Sequence, residues 1–498
     1  MNNPASLKPK IHHNLVHQTN YKRMQNQTYE SYIQLESGLE NRVAPSHSFD
    51  TSAGSYGTIG RFIQVTPLAS PSLMPVSKPS IAPPPPSLSL LASIFNLVKV
   101  LIGAGMLALP SGMAAGQGTG FAPALMTLIF SAIASAYTFY IIGLSLHATN
   151  TTSFKALLVH THGPKMAWAI DSIIIVLGLV LGLLYADFVG DLFATFLKSF
   201  AIIPEWLATR QVVILAITTT VLGPLCLQRD LHGLRHSSYL GVAAVIYITL
   251  FMLLRYLDGS YLPGGEYYAE QKDTSESGSN PSTWSFGLGS AVLVSMLTTS
   301  FTAHQNAPQF SSQLENFTNF RFGIVVFAAF SLSAILYMLV MFAGFCTFGM
   351  HSEGLVLDNF SEKDTLATIA RFATGISVLC SAPLVFAAFR ESVSNCLQGR
   401  IDLNFHSLSI ILLALVTGLS LFFSDVGFIV SMIGSLCDGP LMFILPSMVY
   451  VKVMEQYPKY RKGSLTKTTN YCLIGFGIFL TVFAPVISVL NTYTTLLQ

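Results

Sequence analysis

The sequence predicts an all-α integral membrane protein of about eleven transmembrane helices, and three observations carry that reading. Of its 498 residues, 51% are hydrophobic and only 10% charged, where an ordinary soluble domain is about 25% charged. Windows of about 20 apolar residues, the length that crosses ~30 Å of hydrocarbon, recur along the whole chain after residue 91. Two of those windows, five spans apart, are interrupted by residues that break helices.

In chain order, residues 1–90 are polar and close on Pro83-Pro84-Pro85-Pro86. They read as a disordered cytosolic tail with a stiff proline spacer, and their start does not resemble a cleavable signal peptide. Residues 91–256 hold five apolar windows, at 92–115, 121–147, 166–197, 210–227 and 237–256. An acidic, Ser/Gly-rich extracytoplasmic loop at 257–284 separates them from 285–451, with windows at 285–310, 323–348, 366–389, 405–424 and 426–451. The ninth and tenth are nearly continuous. Residues 452–498 supply a cytosolic loop and an eleventh window at 470–491. With the tail inside, Lys155, Lys165, Arg229, Arg235, Arg321, Arg390, Arg400 and the five basic residues from Lys452 to Lys467 are cytosolic. Lys198, Arg210, Arg255, Lys272, Lys363 and Arg371 are outside. That two-to-one bias predicts a cytosolic N-terminus and an extracytoplasmic C-terminus.

Composition also excludes function classes. The six cysteines form no CxxC pair and fall in spans or cytosolic segments, so neither a disulfide framework nor a metal site is expected. A formal charge of +2 offers nucleic acid nothing, and neither GxxxxGK[ST] nor HExxH occurs. No enzyme activity and no cofactor are predicted.

The two interruptions concentrate the functional signal. FNLVKVLIGAGMLALP, residues 95–110, carries Lys99, Gly103-Ala104-Gly105 and Pro110 inside the first span. TTSFTAHQNAP, residues 298–308, is an unusually polar run inside the sixth. Unwound backbone at membrane depth survives only where it lines a cavity or is covered by protein, because hydrocarbon offers no hydrogen bonds. If spans one to five and six to ten are inverted halves, these breaks are equivalent and mark a transporter's central site. Simple packing is the competing reading, and Gly178 and Gly182 in the third span read that way.

These residues resemble a known family. FNLVKVLIGAGMLALP is similar to the first-helix signature of the amino acid/auxin permease family, which includes sodium-coupled neutral, proton-coupled and vacuolar amino acid transporters. PLCLQRDLHGLRHSSYLG (224–241), FTAHQNAPQFSSQLEN (301–316) and SAPLVFAAFRESV (381–393) resemble its segment between spans four and five, its sixth-span motif and the end of its eighth span. The likeness runs over about 91–495. It implies a LeuT-type fold of two inverted five-helix repeats with broken helices one and six, and amino acids, neutral ones first, as cargo.

A zwitterionic cargo needs donors for its carboxylate and acceptors for its ammonium. Free amides around Gly103, Ala104, Gly105 and Met106 are expected to take the carboxylate at a positive helix end. Carbonyls of Ser300, Phe301, Thr302 and Ala303 are expected to take the ammonium. Tyr185 belongs to a Tyr-x-x-x-x-Gly-Asp run, Tyr185 to Asp191, that resembles the family and joins the substrate candidates. Asp187 and Asp191 share a helical face; Asp191 reads as a wetted helix-end charge, and deeper Asp187 as a candidate for proton or substrate contact. His304 either titrates during transport or holds the break as a satisfied core histidine.

Asn96, Lys99 and Gly103 also share a face. Lys99 either points into the bundle or snorkels to the headgroups. Sodium-coupled relatives resemble FNxxN here, their second Asn joining a hydroxyl residue of span eight in a sodium site; this sequence has Lys99 and Ser381, the latter on a face with Thr374 and Ser377. A fixed ammonium at a Na⁺ position repels the ion, so the pair reads as a vestigial sodium site and H⁺ is expected over Na⁺. Transport is then proton-coupled, as symport or antiport, or uncoupled, with sodium symport as the alternative. An amino acid sensor signalling through a cytosolic partner of the tail is the alternative of another class. Tyr21-Lys22-Arg23-Met24 and Tyr32-Ile33-Gln34-Leu35 fit endolysosomal sorting patterns, so a vacuolar or lysosomal membrane stands beside the plasma membrane. Asn359-Phe360-Ser361 matches a glycosylation acceptor.

Overall fold

The computed structural model describes residues 88–116, 118–198, 203–228, 237–268, 283–397, 404–423, 425–457 and 463–497. The tail with its proline run and tyrosine patterns, most of the acidic loop, and Arg229, Arg235, Lys272, Arg400, Lys459, Arg461 and Lys462 lie outside them.

Most of the described residues are helical. The first span is α1 (Leu90–Leu101), a tight turn at Ala104–Ala108, and α2 (Leu109–Ala114). Then follow α3 (Phe121–Thr149), α4 (Phe154–His162), α5 (Lys165–Lys198), α6 (Arg210–Ile217), α7 (Gly223–Cys226) and α8 (Ser237–Leu257). The second broken span is α9 (Ser290–Ser300) and α10 (Ala307–Gln313). After it come α11 (Asn319–Phe348), α12 (Thr365–Leu397), α13 (Phe405–Ser420), α14 (Val426–Ile433), α15 (Leu445–Gln456) and α16 (Ser464–Leu497). Every apolar window read from the sequence falls on one of these helices or helix pairs. Among the described residues, six stretches are long and apolar enough to cross a bilayer unbroken, and the bent pair at α1 and α2 makes a seventh. Arg210–Cys226, Gly241–Leu257 and Phe405–Ser420 are shorter apolar helices.

Local chemistry sets the boundaries. Ser89 and Ser153 cap α1 and α4, accepting from the amides of Ala92 and Ala156. Asp425 divides the nearly continuous ninth and tenth windows: its Oδ1 accepts from Phe428 N at 2.9 Å and starts α14. Two features were not read from the sequence. One is α4, a short helix between the second and third spans. The other is π-helical winding, at Thr218–Leu222 in the fourth span and in a pair of turns inside the tenth, its first π turn Gly434–Asp438 and its second Pro440–Ile444.

Packing is by reciprocal holes. A Cβ on Gly178 of α5 would lie 2.5 Å from Phe389 Cβ of α12, and one on Gly375 of α12 would lie 2.6 Å from Phe193 of α5, so each helix receives the other's phenylalanine. Gly182 meets Val416 of α13. The outward faces are apolar: on α16, Ile478, Phe479, Val482, Phe483, Val486, Val489 and Leu490 are exposed at helical spacing. In water that stripe would be a liability; against lipid it is the solvent-facing side.

The first π turn is pressed onto α9, where a Cβ on Gly434 would stand 1.8 Å from the Ser295 carbonyl oxygen. Backbone cannot rotate aside as a side chain does. Gly434→Ala is therefore expected to cost at least the ~1–3 kcal/mol of ordinary overpacking, while Gly418→Ala, with nothing within 4 Å, is neutral or slightly stabilising. Thermal unfolding of the detergent-solubilised variants compares the two.

Candidate functional site

Both interruptions lie inside the fold, and they face each other. The helix axis turns by 49° between α1 and the segment from Gly105 to Ala114. Regular α1 bonding ends where Ile102 N donates to Val98 O at 2.8 Å; Gly103 is extended at φ −118° and ψ −176°. In the sixth span Phe301 N closes α9 onto Leu297 O at 2.9 Å, and helical bonding resumes with Asn306 N donating to Ala303 O at 2.8 Å. A Cβ on Gly105 would sit 3.2 Å from Ser300 Oγ, so the two breaks touch there. At exposed Gly103 the same atom would meet only Leu101 O, at 3.9 Å. The missing side chain therefore uncovers backbone at Gly103 and permits close approach at Gly105.

The polar groups freed by the breaks are answered from α11. The hydroxyl of Tyr337 lies 2.6 Å from Leu101 O and 2.6 Å from Ser300 O, the last carbonyls of α1 and α9. It has one proton, which it donates between the two. Its ring is fully buried edge-on against Phe301, 4.9 Å between centroids. Tyr337 was not among the residues read from the sequence, since a tyrosine in an apolar span has no signature until its partners are known.

Among the substrate candidates, Gly103, Gly105 and Thr302 keep solvent exposure, whereas Met106, Ser300, Phe301 and Ala303 are buried. Met106 N makes a long bond of 3.4 Å to Gly103 O, which leaves the Gly103, Ala104 and Gly105 amides ahead of the first turn bond. The Ser300 carbonyl already accepts from Tyr337, with a second lone pair left. Tyr185 is half-buried against the main core.

The ion-coupling candidates are dispersed. Asn96 and Lys99 are half-buried, with Lys99 in the last turn of α1, where a cation complements the helix end. His304 is fully buried and turned away from the break toward α3: its Nε2 is 2.8 Å from Thr138 Oγ1. Thr138 gives its own hydrogen to Ala134 O and Ser135 O, so the histidine is the donor of that pair. On α12, Thr374 and Ser381 donate to Ala370 O and Ser377 O, and Ser377 Oγ faces α8 at Gly241.

Asp187 and Asp191 converge on Arg210. Fully buried Asp187 contacts one terminal nitrogen of the guanidinium, and Asp191 Oδ1 lies 2.9 Å from its Nε. Arg210 also donates to the Ser420 and Phe423 carbonyls, tying α5 to the start of α6 and the end of α13. This charge cluster borders a cavity of about 440 Å³ lined by Asp191, Lys198, Arg210, Glu353, Asp358 and Glu362 among others; no residue of either break lines it. Beside it, Asn359 is engaged in both directions, its Oδ1 accepting from Glu353 N and its Nδ2 donating to His351 O, a geometry that glycosylation there has to undo.

Two outcomes follow. Tyr337→Phe keeps the ring but leaves two buried carbonyls without their donor, at about 1–3 kcal/mol; a lower unfolding temperature for the purified variant is the readout. Asp358 lies in the turn between α11 and α12, with Oδ1 sealed from solvent and unpartnered. Burial first, and then the Asp191 and Glu353 carboxylates, push its carboxyl up to about 8 against the pull of Arg371. A carboxyl raised in the folded state favours folding at low pH and loses that advantage as pH climbs from the unfolded value near 4 to about 8. Asp358→Asn is therefore expected to flatten that decline, most visibly at pH 8, in unfolding temperatures recorded across the range.

Comparison with known proteins agrees with this architecture. The family described as transmembrane amino acid transporter protein matches residues 86–490. A Danio rerio protein named as sodium-coupled neutral amino acid transporter 11 is 25% identical over 74% of this chain and 80% of its own. Vacuolar amino acid transporter 5 of Schizosaccharomyces pombe is 26% identical over 72% of this chain and 83% of its own. Among solved structures, the inward-facing conformation of Mhp1 superposes with a TM-score of 0.51 at 12% identity, covering 82% of this chain and 92% of that one, which shows a shared LeuT-type fold. The chain belongs to the transmembrane amino acid transporter family, a family of transporters rather than enzymes.

Proposed function

We infer that the chain is a secondary active transporter that moves neutral amino acids by alternating access, coupled to protons or uncoupled. The observation that supports this best is the meeting of the two breaks. Both α1 and α9 arrive there by their C-terminal, carbonyl-bearing ends, and short helical segments leave it by their amide-bearing ends. A zwitterion complements that arrangement: its ammonium answers the carbonyl ends and its carboxylate answers the Gly103, Ala104 and Gly105 amides. Residues 102–106 and 300–303 carry no charged side chain, which favours cargo without one.

The coupling reading rests on Lys99. Its ammonium is tethered in the last turn of α1, where a sodium ion would otherwise compensate the helix end, and like charges repel across a few ångströms of protein. Sodium symport is the second reading, favoured by the printed name of the Danio rerio relative and by the Ser381 hydroxyl on α12. The sequence reading of a cytosolic N-terminus, an extracytoplasmic C-terminus and a vacuolar, lysosomal or plasma membrane belongs to this proposal.

Uptake of radiolabelled amino acids into proteoliposomes decides between the couplings. Accumulation driven by a pH gradient, or equilibration without any gradient, is expected, with no response to sodium. Uptake that requires an inward Na⁺ gradient and ignores pH would overturn the Lys99 argument.

A further inference from the structure

The tenth span holds a carboxyl that the site described above does not use. Asp438 closes the first π turn, near the middle of the Val426–Gln456 stretch, and is 1% exposed. Its Oδ1 has no hydrogen-bond partner. The polar groups its carboxyl reaches are the hydroxyls of Thr302 and Thr299, at the end of α9 and in the unwound segment of span six. No basic side chain among the described residues comes within ion-pair distance of it.

Protons are scarce around the group. Thr299 Oγ1 lies 2.8 Å from Val430 O, and Thr302 Oγ1 lies 2.8 Å from Thr298 O, so each hydroxyl has one proton for two acceptors, that carbonyl and the Asp438 carboxyl. With that proton on the carbonyl, each hydroxyl turns a lone pair toward Asp438; with it swung to Asp438, the hydroxyl holds the carboxylate instead. A carboxylate facing the lone pairs would set acceptor against acceptor in a dry interior, whereas a carboxylic acid supplies the missing donor. α9, α14 and the second π turn carry no titratable side chain; α5 carries Tyr185 and Asp187, the latter held by Arg210; α16 carries Lys467, Tyr471 and Cys472, with Lys467 directed at Glu455. The neighbouring Cys437 thiol is the titratable group beside it.

We propose that Asp438 is the proton-carrying group of the transport cycle: protonated while α9 and the π turn are packed together, and discharged to water when the break in span six opens. The proposal rests on the proton-coupled reading above and names its carrier. In the discharge step the carboxyl O–H bond breaks, its electron pair stays on the carboxylate, and the proton passes to a water molecule admitted along Thr302; hydronium on the other side of the membrane returns it. Thr302 belongs to the unwound segment itself, so one hydroxyl separates the proton site from backbone that reads as ammonium acceptor. Cargo and proton then share a wall. A sodium ion held by the same oxygens is the competing occupant.

The test uses the full-length chain in proteoliposomes, a radiolabelled mixture of the common protein amino acids, and an internal pH dye. For one proton per substrate, a one-unit inward pH gradient supports about tenfold accumulation. Wild type is expected to accumulate label and acidify the lumen. Asp438→Asn, which fixes the amide in place of the acid, is expected to exchange internal for external label while its accumulation falls to parity and acidification stops. Asp438→Glu keeps a titratable group and is expected to retain accumulation with a displaced pH midpoint, which covers the case in which the amide variant does not fold. A variant pair that accumulates with the wild-type pH profile overturns the role of Asp438 and leaves proton coupling standing. A wild type without pH-driven accumulation overturns the coupling reading and this proposal with it, and a sodium gradient that drives wild type but not Asp438→Asn assigns the site to a metal cation instead.

Discussion

Everything central in this molecule follows from one constraint: a backbone amide or carbonyl released from helical bonding inside a membrane must find its partner within the protein. Two helices stop halfway, and each leaves carbonyls pointing into the interior. The Tyr337 hydroxyl answers both terminal carbonyls from a third helix, so the breaks are joined through one side chain rather than satisfied separately. A second tie lies at the far end of the same two spans. Leu88, just ahead of α1, donates to Gln313 O at 2.7 Å and accepts from Glu315 N at 3.0 Å, beyond α10. The two interrupted spans are thus held together at their middles and at one end.

Buried charge obeys the same economy. Arg255 forms a two-pronged pair with Asp364, which is fully buried and also accepts from Tyr261 and from the first amides of α12. Arg371 has no carboxylate in direct contact among its hydrogen bonds and spends its guanidinium on the Leu357, Phe360 and Ser361 carbonyls, shaping the turn between α11 and α12. Arg390 reaches Cys226 O and Ser409 Oγ across three helices. These arginines act as multi-donor staples, a use for which five fixed donors suit better than an ammonium. Arg210 belongs with them: by pinning Asp187 and Asp191 it makes those carboxylates architectural partners, which weakens the case for either as a free proton carrier.

The membrane class and the apolar spans were legible because they depend on composition over long windows, and the two breaks because Gly-Ala-Gly and TTSFTAHQNAP are locally anomalous. What composition does not encode is pairing. Tyr337 looks like any aromatic of an apolar span, and only the fold reveals that two carbonyls converge on it. His304 reads from the sequence either as titrating or as a core histidine, and its bond to Thr138 is a tertiary contact no local pattern announces. Asp438 carried the same signal that drew attention to Asp187, an acid at membrane depth, but stood alone between glycines and a proline without a helical-face partner. The π turns around it are backbone rearrangements imposed by packing on α9, and α4 is too short for a periodicity argument.

The convergence of two carbonyl ends also explains why the position of Lys99 matters beyond the lysine itself. Helix ends of the same sign repel, and that repulsion is relieved by a cation. If the cation is a dissociable ion, its arrival and departure drive the cycle. If it is an ammonium fixed in the chain, that driving element is removed, and the breaks keep their compensation in every state. In the proton-coupled reading proposed above, a transporter built that way takes its movable charge from another group near the same unwound backbone. Among the described acids, Asp438 is the one whose carboxyl reaches a hydroxyl of the unwound sixth span. In the proposal made above, a lysine in the last turn of one broken helix and a neutralisable acid behind the other are two halves of a single electrostatic arrangement, and Tyr337 bridges the two breaks they adjoin.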